Sequence, residues 1–144
     1  MPHTISHESL QPPAHDRIRE HSSDSANQRI DRETRGAIEE ALRSSETRRA
    51  RLRELDQEWD IDRALMLNFG VVGAYSAFNA MRQLRRGHIG LWSLFFGVQL
   101  GFLINHAVRG WCPPMPLFRR LGFRSAKEIA AERLALQQAT DGSD

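Results

Sequence analysis

The sequence has one cysteine and one lysine in 144 residues. The lone cysteine, Cys112, excludes an intramolecular disulfide and any metal site built from several cysteines. The first 30 residues contain no apolar run behind a basic start, so we expect no cleavable signal peptide. The chain also lacks a phosphate-binding glycine loop, a His-Glu-x-x-His motif and a plausible nucleophile triad. The sequence therefore predicts no catalytic residue, no metal, no cofactor and no enzyme.

Neither sign of charge dominates the chain. It carries 20 basic and 18 acidic side chains, for a formal net charge of +2. The acids are interleaved with the arginines, so the sequence forms no continuous cationic patch. Proteins that bind nucleic acids usually present such a patch to the phosphate backbone. We therefore expect no nucleic acid among the partners.

Apolar residues are concentrated in one block, residues 64–108. Residues 64–81 form an uncharged stretch of eighteen residues, and residues 89–108 form a second stretch of twenty. As helices rising ~1.5 Å per residue, these stretches are about 27 and 30 Å long, which matches the hydrocarbon layer of a bilayer. The only charged side chains in the block lie between the two stretches: Arg82, Arg85 and Arg86.

The two stretches predict an all-α fold centred on a membrane helical hairpin. We place the hairpin at residues 61–110, with transmembrane helices at about 64–82 and 89–109. Because the connection is short, the two helices must be antiparallel neighbours. The alternative is a hairpin buried inside a soluble helical bundle. That alternative needs amphipathic elements to cover two apolar helices, and the rest of the chain offers few.

Three polar segments flank the hairpin. Residues 1–26 are polar and contain prolines, which predicts a disordered tail, although their four histidines leave a metal-binding tail as an alternative. Residues 27–60 predict one polar juxtamembrane helix on the cytoplasmic side. Residues 111–144 predict a cytoplasmic proline turn followed by a short C-terminal amphipathic helix. A capping-box pattern at Ser125–Glu128 marks the start of that last helix.

Basic residues near the membrane predict the orientation of the hairpin. Ten arginines and lysines flank the terminal side of the hairpin, against three in the connecting loop. The side with more basic residues normally stays in the cytoplasm, so we expect both termini there. Trp59 and Trp111 would lie at one interface and Trp92 near the other.

After the second helix, Phe118, Leu121 and Phe123 alternate with arginines, which is typical of a segment on an anionic membrane surface.

Helical projection of the two spans separates small residues from polar ones. The small residues predicted to pack helices together are Gly70, Gly73, Ala77, Ser93, Gly97 and Gly101. The residues of the predicted polar membrane face are Asn68, Tyr75, Asn79, Gln99 and His106. Small residues let backbones approach closely, whereas amides that face lipid are costly. Because one hairpin hides only one face of each helix, we expect a homodimer or a higher homo-oligomer. Either the small faces close the hairpin and the polar faces meet the partner, or the reverse.

The residues that directly follow the second helix resemble those of a known family. Two apolar helices followed by Gly110-Trp111-Cys112-Pro113 resemble the YgaP-type transmembrane domain, a bacterial inner-membrane domain of unknown function. The resemblance covers about Trp59–Leu136. It implies a dimer-forming hairpin in the bacterial cytoplasmic membrane, and some members carry this domain behind a rhodanese sulfurtransferase domain. This chain has no cysteine in a rhodanese-type loop, so the resemblance does not extend to sulfurtransferase activity.

Cys112 is the one candidate reactive residue. The nearby Arg109 and Arg119 would favour a thiolate, which could accept a persulfide, ligate haem iron or cross-link a dimer. The simpler interpretation is a small residue packed in a proline turn beside Trp111. His106 and Cys112 could share a metal ion only if a partner subunit supplied further ligands.

The leading hypothesis is a self-associating membrane hairpin, without enzymatic activity, that presents cytoplasmic segments to partner proteins. The alternative is an accessory thiol protein that uses Cys112 and meets sulfur-metabolism proteins. A third hypothesis is a small transport assembly lined by the polar membrane face.

Overall fold

The computed structural model describes residues 15–141, with side chains up to residue 139. Seven α-helices make up this part of the chain: α1 (Arg17–Glu20), α2 (Asp24–Ala41), α3 (Ser45–Gln57), α4 (Ile61–Arg85), α5 (Leu91–Arg109), α6 (Met115–Arg120) and α7 (Ala126–Asp141). No strand occurs between residues 15 and 141, where a single isolated bridge pairs Asp60 with Arg124. The predicted all-α fold is confirmed.

Helices α4 and α5 pack against each other as an antiparallel hairpin. They contain 25 and 19 residues, or about 38 and 28 Å of helix. Both are long and apolar enough to cross a membrane. Only 28% of the most apolar window of α4 and 11% of that of α5 is buried inside the structure. The core helix of a soluble bundle is mostly buried, whereas the described residues leave most of these two apolar helices uncovered.

Local backbone chemistry sets the ends of the hairpin helices. The side chain of Asp60 accepts a hydrogen bond from the Arg63 amide at 2.7 Å and caps the start of α4. Gly110 ends α5 in the left-handed conformation, with φ of 74°. In the turn between the helices, Gly90 lies against the side chain of Gln83. A β-carbon at Gly90 would come within 2.5 Å of the Gln83 Oε1 atom, so any larger residue here would require the Gln83 side chain to move.

The remaining five helices form a second unit, which we call the polar domain. The sequence predicted one helix over residues 27–60, and this prediction is wrong because two helices, α2 and α3, occupy the region. They pack against each other and against α7. The chain turns at Ser44, whose hydroxyl accepts from the Thr47 amide while the Thr47 hydroxyl accepts from the Ser44 amide. This reciprocal cap starts a new helix where composition alone indicated continuity.

The predicted disordered tail is also wrong for residues 15–26. Helix α1 and the first turn of α2 lie there, and the Ile18 side chain is buried. Asp16 caps α1 by accepting from the Ile18 amide at 2.9 Å. His21 stacks on the ring of Trp111, with 4.6 Å between ring centroids. The remainder of the predicted tail, residues 1–14, lies outside the described part of the chain.

Two clusters of buried apolar side chains hold the structure together. The junction core joins the polar domain to the hairpin and consists of Ile18, Ile61, Leu65, Cys112 and Met115. The bundle core lies between α2, α3 and α7 and consists of Ile38, Ala41, Leu55, Ile129 and Leu136. Since the junction core contains residues of α1, α4 and α6, the polar domain is packed directly onto the base of the hairpin.

The capping box predicted at the start of α7 is confirmed. The Ser125 amide donates to the Glu128 Oε2 atom at 2.8 Å, and the Glu128 amide donates to the Ser125 Oγ atom at 3.1 Å. The buried face of α7 includes Ile129 and Leu136, whereas the side chain of Leu134 is 55% exposed.

Candidate functional site

Two buried glutamates of α7 bind arginines from distant parts of the chain. Glu128 accepts a bidentate pair from Arg119, at 2.6 and 2.9 Å. The Arg119 side chain is fully buried and also donates to the Asn27 Oδ1 atom of α2 at 2.7 Å. Arg19 of α1 donates to the same glutamate and forms two 2.8 Å hydrogen bonds with Asp31 of α2. Glu128 thus connects α1, α2 and α6 to α7.

Glu132, one turn further along α7, organises a second set of charges. Its side chain is fully buried, and the Arg51 Nε atom of α3 donates to it at 2.7 Å. Arg124 donates to the same carboxylate and makes a bidentate pair with Glu58, at 2.6 and 2.7 Å. Arg124 also donates to the Thr34 hydroxyl at 3.0 Å. Glu132 therefore joins α2 and α3 to the segment that precedes α7.

The electrostatics of Glu128 match a structural role. Burial by itself raises the pKa of this carboxyl, but the hydrogen bonds from Arg119 and from the Ser125 amide hold the pKa below its usual range. A general acid or base works best with a pKa near the working pH. Glu128 is therefore a charged anchor at neutral pH and is poorly suited to transfer protons.

These ion pairs were not predicted from the sequence, although a signal for them exists there. Glu128 and Glu132 are four residues apart and share the face of α7 that carries Ile129 and Leu136. Two acids on an otherwise apolar helix face indicate buried partners, because an unpaired charge there would be very costly. The identity of those partners could not be predicted, since Arg19 is separated from Glu128 by 109 positions.

Cys112 lies in the junction core with 0% of its surface exposed. Burial raises the pKa of its thiol, and the negative charge of Asp62 acts in the same direction. Arg119 was expected to favour a thiolate, but its guanidinium is paired with a carboxylate of α7. The side chain of Arg109 is exposed. These observations support the packing interpretation of Cys112 and give no support to a reactive thiol.

We expect Cys112 of the folded protein to react with a maleimide only after denaturation, because reagents reach a buried, protonated thiol slowly. The measurement is mass-shift labelling in mild detergent and again in denaturant. A Ser45→Cys variant provides a matched control, because Ser45 is exposed at the start of α3 and its replacement should react at once. Fast native labelling, or a persulfide signal on the wild-type chain, would restore the thiol hypothesis.

Polar groups of the hairpin meet between its two helices. The Ser76 hydroxyl lies 2.6 Å from the Gln99 Oε1 atom, and both side chains are buried. Nearer the polar domain, the His106 Nε2 atom lies 3.2 Å from the Asp62 Oδ1 atom. Gln99 and His106 therefore face the opposing helix, as expected for polar groups that avoid lipid. Ser76 and Asp62, which complete these pairs, were not among the predicted residues.

The other predicted polar residues do not join this set. The Tyr75 side chain is 60% exposed and lies edge-on to Trp92, with 5.3 Å between ring centroids. The Asn79 amide donates to the backbone carbonyl of Tyr75 at 2.9 Å, a bond within its own helix. Asn68 is partly buried. The hairpin therefore does not bring the predicted polar residues into one continuous path.

The predicted packing glycines do not mediate contact between α4 and α5. Around Gly70, Gly73, Gly97 and Gly101, no neighbouring atom lies within 4 Å of the position that a β-carbon would take. Ala77 and Ser93 are partly buried. Of the two predicted arrangements, α5 adopts the second, in which its polar residues close the hairpin and its glycines face outward.

An open cleft of about 310 Å³ lies where α1, α4 and α7 meet. Its charged lining residues are Asp16, Arg17, Asp62 and Lys127. Each of them already has a hydrogen-bond or ion-pair partner within the chain. Between residues 15 and 141, no three His, Cys, Asp or Glu side chains converge as a metal site would require. Within the described residues, the cleft thus offers no set of metal ligands.

Comparison of the chain with protein-family models, with curated proteins and with solved structures found no match. The resemblance to the YgaP-type transmembrane domain therefore stays a prediction that rests on Gly110, Trp111, Cys112 and Pro113.

Proposed function

We propose that this chain is a non-enzymatic protein of the bacterial inner membrane, which self-associates through its hairpin and holds the polar domain in the cytoplasm for partner proteins. The observation that carries the proposal is the junction core. Ile61 and Leu65 of α4 pack there with Met115 of α6 and with Cys112, which lies just before α6. A hairpin fixed to a folded domain in this way can anchor that domain at a defined height above a membrane.

The outward surface of the hairpin supports membrane insertion. Large apolar side chains on this surface are more than half exposed, and they include Val71, Phe78, Leu94, Ile104 and Val108. A soluble monomer rarely exposes apolar patches of such extent, because water would drive them together. A surrounding bilayer covers these side chains and leaves the polar pairs hidden inside the hairpin.

Charge supports the proposed orientation. The last turn of α4 and the turn that follows it carry three arginines, whereas ten basic residues flank the other end of the hairpin. Positive charge near the membrane is retained on the cytoplasmic side during insertion, and acidic neighbours change this preference little. The arginines that pair with Glu128 and Glu132 therefore still count toward cytoplasmic termini.

The outward glycines support self-association. Gly97 and Gly101 are four residues apart on α5 and face away from α4. Glycines at this spacing allow a second helix to approach closely, which favours helix association in lipid. The outward face has only the bilayer or another protein to contact, and a second copy of the hairpin offers a matching surface.

We expect the double substitution Gly97→Leu and Gly101→Leu to weaken the dimer without unfolding the hairpin, because both positions face open space. A rise of about tenfold in the dissociation constant corresponds to about 1.4 kcal/mol of lost packing. The measurement is energy transfer between donor- and acceptor-labelled chains in lipid nanodiscs or proteoliposomes. Ala107→Leu is the matched control, because it adds similar bulk at another exposed position of α5.

Two outcomes would contradict parts of the proposal. A wild-type chain that stays strictly monomeric at a low detergent-to-protein ratio would exclude self-association. Extraction of the chain from membranes by alkaline carbonate would exclude the transmembrane hairpin.

A further inference from the structure

The short helix α6 has two faces of different character. Met115 and Arg119 are fully buried, and Phe118 packs on the junction core. On the opposite face, the side chains of Leu117 and Leu121 are 59% and 68% exposed. The sequence predicted a membrane-surface segment that included Phe118 and Phe123, but both of these aromatic residues pack inward. Only Leu121 of that predicted set remains outside.

Contacts of α6 place it at the level of the membrane border. Met115 shares the junction core with Ile61 and Leu65, which lie in the first two turns of α4. Phe102, two turns before the end of α5, packs against the same core. The apolar parts of both helices end at this height, so the proposed membrane insertion would place α6 where lipid headgroups meet hydrocarbon.

Three arginines without acidic partners surround this border. Arg63 lies in the first turn of α4, Arg109 ends α5, and Arg120 ends α6 between Leu117 and Leu121 in the sequence. All three arginine side chains are exposed. The Arg63 guanidinium stacks on Trp59, at 4.6 Å from the ring centroid. Within residues 15–139, none of the three makes an ion pair, in contrast to the buried Arg119.

We propose that Leu117 and Leu121 insert into the headgroup region of the adjoining leaflet, and that Arg63, Arg109 and Arg120 bind the phosphates of anionic phospholipids there. This inference rests on the proposed membrane insertion. Exposed leucines beside arginines are typical of segments that lie in the bilayer interface. Guanidinium groups bind phosphate oxygens in bidentate geometry, and each basic residue near an anionic surface adds to the attraction. Charge complementarity and direct continuity with the hairpin identify lipid as the occupant.

The first test measures the depth of α6. A single cysteine replaces Leu121 in a Cys112→Ala background, and it carries an environment-sensitive fluorophore in nanodiscs of phosphatidylcholine and phosphatidylglycerol. We expect a blue-shifted emission that headgroup spin-labelled lipids quench. Leu134→Cys is the matched control, because Leu134 is exposed on α7 at about 12 Å along the helix from its start. Equal quenching at both positions, or none at Leu121, would overturn the inference.

The second test measures charge recognition. We expect Arg63→Gln, Arg109→Gln and Arg120→Gln each to reduce the phosphatidylglycerol retained by the purified protein about fivefold, counted by native mass spectrometry. Arg49→Gln is the control, because Arg49 is an exposed arginine of α3 and does not belong to the hairpin helices or to α6. Retention equal to that of the control in all three variants would overturn the inference.

Failure of this inference can be distinguished from failure of the proposed function. Suppose that the chain resists carbonate extraction but the fluorophore at position 121 shows the emission of a water-exposed probe. That result would contradict only the lipid-binding role of α6. A chain that carbonate extracts would contradict membrane insertion itself. A Leu117→Cys variant repeats the depth measurement in case Leu121→Cys misfolds, which circular dichroism would detect.

Discussion

Replacing Glu132 by glutamine is expected to lower the free energy of unfolding of the polar domain by about 3–5 kcal/mol. The native carboxylate is fully buried and accepts hydrogen bonds from Arg51 and Arg124. A neutral amide of the same shape removes the most deeply buried negative partner of both guanidinium groups, which keep only their pairs with the less buried Glu58 and Glu54. The loss is large because the desolvation of the two cations remains after most of their buried compensation is gone.

Chemical unfolding in mild detergent, followed by circular dichroism and by trypsin cleavage, measures this effect. Glu54→Gln provides the matched control, because Glu54 also pairs with Arg51 but its side chain is 65% exposed. We expect a change of roughly 0–1 kcal/mol for this control, as is usual for surface ion pairs. Equal unfolding midpoints for Glu132→Gln and wild type would show that the buried network does not stabilise the domain.

A double substitution in α1, Ile18→Ser with Arg19→Gln, is expected to release this helix from the fold. Burial of an isoleucine side chain contributes about 1.5–3 kcal/mol, and hydrogen bonds to charged groups contribute about 1.5–3 kcal/mol. Ile18 belongs to the junction core, and Arg19 pairs with Asp31 and Glu128. Since the two residues are neighbours, their effects need not add, and we expect a total loss of about 3 kcal/mol or more.

Hydrogen–deuterium exchange of residues 15–26 and of the first turn of α7 measures this release. The emission of Trp111 is a second readout, because His21 stacks on its ring. Glu20→Gln is the matched control, because Glu20 is exposed on the same helix. If residues 15–26 formed a disordered tail, as their composition predicts, the double variant would exchange at the same rate as the wild type.

The buried ion pairs also bear on what the polar domain can do. They connect helices from the beginning of the described chain to helices at its end, so a single change at α7 affects α1, α2, α3 and α6 together. Such a network holds the exposed faces of the domain in fixed positions. Under the proposed function, a partner would therefore meet a preformed surface rather than a segment that folds on binding.

Local features of the sequence were sufficient to predict the hairpin. An uncharged stretch of about twenty apolar residues is long enough to cross a bilayer wherever it occurs, and two such stretches with a short connection must pair. Helix α4 extends beyond the predicted span to Arg85, because the arginines that end the apolar stretch are still good helix formers. The capping box at Ser125 was equally predictable, since its partners are three residues apart.

Only the tertiary structure decided where the charges and the small residues lie. The composition of residues 15–26 predicted a disordered tail. The stabilising partner of Arg19 is a carboxylate of α7, which is distant in the sequence and therefore does not enter a prediction from local composition. Helical projection separated glycines from polar residues but could not choose which side faces the other helix. That choice depends on pairs such as Ser76 with Gln99, which form across the hairpin. Helix length, apolar character and capping depend on residues within one segment, so the sequence alone determined them. The ion pairs and hydrogen bonds between distant segments depend on how the chain folds, so only the tertiary structure showed them.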